Sequence, residues 1–152
     1  MPTLYSIKPA FQDLLRPLAA RLVMMGVTAN GVTLAAAALS VAAGLLLATC
    51  HQNPWIFWIV PLVLFLRMAL NAIDGMMARE FGQASTLGMY LNELADIVSD
   101  AALILPFALV PLFPAWSVII FAILAALTEY AGVLGVMAGC ARRYDGPLGK
   151  SD

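Results

Sequence analysis

Long apolar segments separated by short polar ones dominate the pattern of this 152-residue sequence. Four segments are long enough to cross a membrane, because one helical crossing takes about 20 residues. They cover residues 31–50, 54–77, 87–112 and 115–138. The pattern therefore predicts an all-α integral membrane protein with four transmembrane helices, forming a single domain over residues 1–152.

The first 25 residues follow a different pattern, in which leucines recur at helical spacing with basic and amide side chains between them. This pattern is typical of an amphipathic helix that lies in the membrane interface. Pro9 and Pro17 predict that the helix is broken or begins late. The alternative is an N-terminal arm that only aids solubility.

Composition agrees with a membrane protein. The chain is 62% hydrophobic and 11% charged, whereas a soluble domain is about 45–50% apolar and about 25% charged. Its eight lysines and arginines form no basic stripe, which argues against a nucleic-acid partner. Cys50 and Cys140 fall on opposite sides of the predicted membrane, so we expect no disulfide between them.

The positions of lysine and arginine predict the orientation. Basic residues precede the first span, follow the fourth, and include Arg79 between the second and third. The connections around residues 51–54 and 113–115 contain none. The positive-inside rule therefore places both termini in the cytoplasm, and we expect the location to be a bacterial inner (cytoplasmic) membrane.

Amides and carboxylates cluster within the second and third spans. They are Asn71, Asp74, Asn92, Glu93, Asp96 and Asp100. A charge within a span costs roughly 2.5–3.5 kcal/mol on insertion scales, so such residues are usually functional. Helical spacing aligns Asn71 with Asp74 and, in the third span, Asn92 with Asp96 and Asp100. A short loop should make the two spans adjacent. Converging oxygen atoms of this kind suit Mg²⁺. The alternative is that these groups satisfy each other and Arg67 as helix-packing contacts.

Three charged residues lie deeper in the spans: Arg67, Asp100 and Glu129. They predict a buried ion-pair network, for which we favour a structural role over a catalytic one. A relay that conducts ions or protons is a further alternative, since charged residues inside spans can mark such a path.

The spacing of the polar cluster resembles the signature of one enzyme family. In the order of the chain, the matching residues are Asp74, Gly75, Ala78, Arg79, Gly88 and Asp96. They fit the pattern D-x2-D-G-x2-A-R-x8-G-x3-D-x3-D of the CDP-alcohol phosphotransferases, also called CDP-alcohol phosphatidyltransferases. Residues 28–33 and 149–150 resemble two shorter elements of that family, T-P-N-x-x-T and Gly-Lys.

The resemblance implies a reaction and its participants. A phosphatidyl-type group would pass from a CDP-alcohol, such as CDP-diacylglycerol, to an acceptor alcohol with release of CMP, in phospholipid biosynthesis. Asp96 would be the general base and Mg²⁺ or Mn²⁺ the cofactor. The implied metal ligands, with Asp100 added as a neighbour, are Asn71, Asp74, Asn92, Asp96 and Asp100. The implied substrate-binding residues are Gly75, Ala78, Arg79, Gly88 and Lys150. Membrane lipids and a second copy of the chain, in a homodimer, are the other implied partners.

The sequence departs from the family pattern in two ways. Asn71 and Asn92 stand where the family has aspartates, and an amide oxygen brings no charge, so metal affinity should fall. Asp100 is expected to compensate in part. The family resemblance also implies six spans, whereas four are predicted here, which leaves open a truncated form. The alternative function is therefore a catalytically inactive family member that acts as a membrane scaffold or assembly partner.

Overall fold

A computed structural model of the protein describes the backbone of residues 4–139 and the side chains of residues 9–139. Within that range every regular element is helical, which confirms the predicted all-α class. The α-helices are α1 (Leu4–Met24), α2 (Ala29–Cys50), α3 (Ile59–Glu80), α4 (Thr86–Ile104) and α5 (Ala115–Met137). Short 3₁₀ helices at Pro54–Trp58 and Leu105–Leu109 precede α3 and follow α4.

Three segments of the described chain are long and apolar enough to cross a membrane. They are Ala29–Cys50, Pro54–Glu80 and Ala115–Met137. Helix α4 occupies the place of the predicted third span, but three acidic residues interrupt its apolar sequence: Glu93, Asp96 and Asp100. The membrane class is confirmed, whereas four crossings and a single domain over residues 1–152 stay predictions.

Helix α1 is continuous through Pro9 and Pro17, so the expectation of a broken helix was wrong. Each proline removes one intrahelical hydrogen bond, and packing along α3 offsets that loss. Arg16 on α1 joins Glu80 at the end of α3, with 2.9 Å between Nε and Oε2. The contact holds α1 against the end of α3 that carries the polar cluster.

Helix α2 packs against both α3 and α4, while the backbones of α3 and α4 hardly approach each other. A small core of Ala43, Val63 and Leu103 joins the three helices. Beside it, a Cβ on Gly44 would lie 2.8 Å from the carbonyl carbon of Ala102. The second and third predicted spans are therefore neighbours, as expected, but polar side chains rather than close backbone packing connect them.

The loop between α3 and α4 also orders the start of α2. Gly82 has φ +68°, a conformation that favours glycine. The Gln83 side chain accepts a hydrogen bond from the Ala29 backbone N–H at 2.6 Å. Ser85 caps α4 by accepting from the Gly88 N–H at 3.0 Å. The loop therefore connects the end of α3, the start of α4 and the start of α2 next to the polar cluster.

Candidate active site

Asp74 of α3 is buried against α2, with 5% of its surface exposed. Its Oδ2 lies 2.7 Å from the hydroxyl of Thr33, which donates to it. The charges of Asp96 and Arg79 also act on this carboxylate. Hydrogen bonds such as that from Thr33 make a buried carboxylate tolerable.

Asp96 of α4 is equally buried and lies on the side of α3. Its Oδ1 accepts from Arg67 Nη2 at 3.0 Å and from Asn71 Nδ2 at 3.2 Å. Arg67 also donates to the backbone carbonyl of Asp96 at 3.3 Å and forms an ion pair with Asp100. Only 12% of the Arg67 side chain and 8% of the Asp96 side chain are exposed. One guanidinium therefore ties two carboxylates of α4 to α3.

These contacts bear on two interpretations of the sequence. The predicted ion-pair network is confirmed for Arg67 and Asp100, and Asp96 belongs to it as well. Glu129 lies half-buried on α5. The alternative that polar groups satisfy each other and Arg67 describes the observed contacts of Asn71, Asp96 and Asp100.

The predicted metal ligands do not fit a divalent ion in this arrangement. Asp96 and Asp100 bind a guanidinium, and Asn71 presents its N–H rather than its oxygen to Asp96. Asp100 therefore balances the charge of Arg67 and does not stand in for the carboxylates that are missing at positions 71 and 92. Asn92 lies half-buried one turn before Asp96. Among the side chains of residues 9–139, no group of three His, Cys, Asp or Glu is placed so that it could hold a metal ion.

Two of the predicted substrate-binding residues lie together at the end of α3. The guanidinium of Arg79 rests against Gly75, since a Cβ on that glycine would lie 3.1 Å from Nη2. Arg79 is exposed, so its charge is accessible to an anionic ligand. Lys150 falls outside the described residues.

Gly88, at the start of α4, was expected to leave room for a nucleotide. A Cβ there would lie 2.7 Å from the Asn30 side-chain oxygen and 3.0 Å from the Ser85 hydroxyl. The space beside Gly88 is thus filled by the start of α2. Ala78 is half-buried and packs against the core between α1, α2 and α3.

Sequence reasoning gave two site residues too small a role. Thr33 belongs to the segment 28–33, which was interpreted only as an element of the family pattern. Its position in the first turn of an apolar helix was the available signal. Arg67 was assigned to a deep network, although it lies four residues before Asn71 and therefore on the same helix face.

Comparison with known proteins identifies the family. The family model of CDP-alcohol phosphatidyltransferase matches residues 26–147. The chain belongs to this family. It is similar to the inner membrane protein YnbA of Escherichia coli (strain K12), with 52% identity over 150 residues, 99% of this chain and 74% of that protein. No solved structure matches the chain significantly.

Family membership confirms the resemblance and supports a coarse activity. Members are CDP-alcohol phosphotransferases, which act on a CDP-alcohol and an acceptor alcohol in a membrane, in lipid synthesis. The family is generally dependent on a divalent metal. In this chain Asp96 and Asp100 both form ion pairs with Arg67.

Proposed function

We propose that the protein moves a phosphatidyl-type group from a CDP-linked alcohol, such as CDP-diacylglycerol, to an acceptor alcohol, with release of CMP, in phospholipid biosynthesis. The observation that carries this proposal is the buried carboxylate of Asp96, held by Arg67 and Asn71 close to Asp74. The similarity to an inner membrane protein of Escherichia coli supports an inner-membrane location, and the distribution of basic residues supports cytoplasmic termini.

Asp96 is the proposed general base. The acceptor oxygen forms a bond to the β-phosphorus, and the bond from that phosphorus to the oxygen of CMP breaks. The electron pair leaves with CMP, and the hydroxyl proton passes to the carboxylate of Asp96. Arg67 and Asn71 fix one oxygen of that carboxylate, which favours the positioning that proton transfer requires.

Arg79 is the proposed contact for the diphosphate. Its guanidinium is exposed and rests on Gly75, beside the buried Asp74, and arginine binds phosphate oxygens in a bidentate manner. Lys150 would supply a second positive charge by the family resemblance. The resemblance likewise implies that Gly75 borders the cytidine, whereas Asn30 and Ser85 fill the space beside Gly88 and Ala78 packs against the core.

The resemblance also implies Mg²⁺ or Mn²⁺ at this site. The carboxylates of Asp96 and Asp100 are bound by Arg67, and amides stand at positions 71 and 92. We therefore assign no step of the transfer to a metal.

Release of CMP from CDP-diacylglycerol tests the proposed function. Purified protein in lipid nanodiscs is given a mixture of acceptor alcohols, in parallel with EDTA and with Mg²⁺. We expect CMP release that Asp96→Asn abolishes. The matched control is Asp13→Asn, the same change at an exposed acid on α1. Equal CMP release by wild type and Asp96→Asn would contradict the assignment of the base.

An inactive membrane scaffold is the second candidate. The observation that favours it is the pair of amides, Asn71 and Asn92, at positions where the family has aspartates. In the same assay, a folded wild type that releases no CMP with any acceptor, with or without Mg²⁺, would support this alternative. A homodimer stays a prediction in either case.

A further inference from the structure

Arg67 lies at the centre of the polar side chains that bridge α3 and α4. Its guanidinium contacts the side chains of Asp96 and Asp100 and the backbone carbonyl of Asp96. A basic side chain within a span is costly and is retained where it is paired or functional. Here the two terminal nitrogens of its guanidinium contact carboxylates of the neighbouring helix, one each.

The partners of Asp96 are donors, which is the opposite of what a metal site needs. Arg67 and Asn71 direct N–H groups at the same oxygen, Oδ1, from 3.0 and 3.2 Å. A divalent ion at this oxygen would have to displace the guanidinium and would meet the N–H side of the amide. An aspartate at position 71 would instead place a second negative charge beside Asp96. Asn71 and Arg67 are therefore compatible, because both donate to Asp96 and neither adds a negative charge beside it.

We infer that Arg67 is a built-in cation that replaces a divalent metal in this pocket, so that the protein binds its CDP-linked ligand without metal. The guanidinium offsets one of the two negative charges of Asp96 and Asp100 without a bound ion. The part of the inference that concerns the ligand rests on the proposed function. The part that concerns the metal does not.

The part of the inference that concerns the metal is tested by the binding of Mn²⁺ alone to purified protein. The electron paramagnetic resonance signal of the free ion shows how much Mn²⁺ remains unbound. We expect the wild type to bind Mn²⁺ no more tightly than roughly millimolar, the weak end of protein sites for divalent ions. Arg67→Gln frees two carboxylates and should bind at least about tenfold more tightly. Arg67→Lys keeps the charge and should bind as weakly as the wild type.

Two results would overturn the inference that Arg67 replaces a divalent metal. One is wild-type binding well below millimolar that Asp96→Asn abolishes. The other is a folded Arg67→Gln variant that binds Mn²⁺ as weakly as the wild type. If Arg67→Gln fails to fold because its acids are left unpaired, the wild type and Asp96→Asn still decide the question.

Binding of CDP, measured by calorimetry in EDTA and in Mg²⁺, separates the inference from the proposed function. We expect the same affinity in both conditions. Binding that requires Mg²⁺ would overturn the inference and leave the proposed function in place. Absence of CDP binding in both conditions would overturn the proposed function, while the Mn²⁺ measurement would still decide the role of Arg67.

Discussion

Replacing Gly44 with alanine should separate α2 from α4. A Cβ at this position would lie 2.8 Å from the carbonyl carbon of Ala102, whereas ordinary contact begins at 3.4 Å. The two helices must therefore move apart by at least about 0.6 Å, the difference between these distances. Overpacking costs about 1–3 kcal/mol, and we expect the upper end because a backbone carbonyl cannot rotate away.

Gly132→Ala is the matched control, since a Cβ there meets nothing within 4 Å. In a helix interior this change adds about 0.5–1 kcal/mol of stability, because alanine loses less backbone freedom than glycine. Unfolding by denaturant in detergent, followed by circular dichroism, gives the free energy of unfolding of each variant. A Gly44→Ala variant as stable as Gly132→Ala would refute the close approach of α2 and α4.

The movement of α2 in the Gly44→Ala variant should also affect the candidate active site. Helix α2 carries Thr33, whose hydroxyl lies 2.7 Å from Oδ2 of Asp74. A shift of more than half an ångström at Gly44, on the same helix, is expected to weaken that contact and with it the affinity for CDP. Gly132→Ala should bind CDP as the wild type does, which separates an effect of helix position from a general effect of glycine replacement.

Two further changes test the site and the topology. Thr33→Val removes the hydroxyl that donates to buried Asp74 and should lower the free energy of unfolding by about 1.5–3 kcal/mol, as hydrogen bonds to charged groups are worth. Thr33→Ser keeps the donor and removes only the methyl group, so it should cost much less; equal losses for both variants would contradict a dominant role of the hydroxyl. In a background without native cysteines, Ala84→Cys should react with a membrane-impermeant thiol reagent only from the cytoplasm and Gln52→Cys only from outside. The reverse pattern would invert the proposed orientation.

Hydropathy predicted the elements well because the length of an apolar run directly limits a helix that crosses a membrane. The predicted segment 115–138 corresponds to α5 at Ala115–Met137, and 31–50 to α2 at Ala29–Cys50. The segment 87–112 is longer than α4, which ends at Ile104. Pro106 lies just beyond it in a 3₁₀ helix, and proline cannot donate the next helical hydrogen bond. Apolar character continues through that proline, so hydropathy alone does not detect the end.

The arrangement of helices was harder to predict than their existence. A short loop suggests neighbours, yet α2 packs against both α3 and α4. The sequence signal for this packing was Gly44, whose missing side chain lets the backbone of α4 come close. No pattern of charge reveals the importance of a single glycine. Spacing along α4 correctly placed Asp96 near the residues of α3. It could not show that Arg67 reaches Asp96 and Asp100, because that depends on the conformation of one long side chain.

The side-chain hydrogen bonds of Asp74 and Asp96 join different helices, so these residues have a structural role whatever their function. Thr33 of α2 binds Asp74 of α3, and Arg67 of α3 binds Asp96 of α4. Removing one partner leaves a buried charge, which costs more than the contact itself contributes. Asp96, the proposed general base, is thus also a residue that joins two helices. Its variants must be compared at equal folding before a loss of activity is assigned to chemistry.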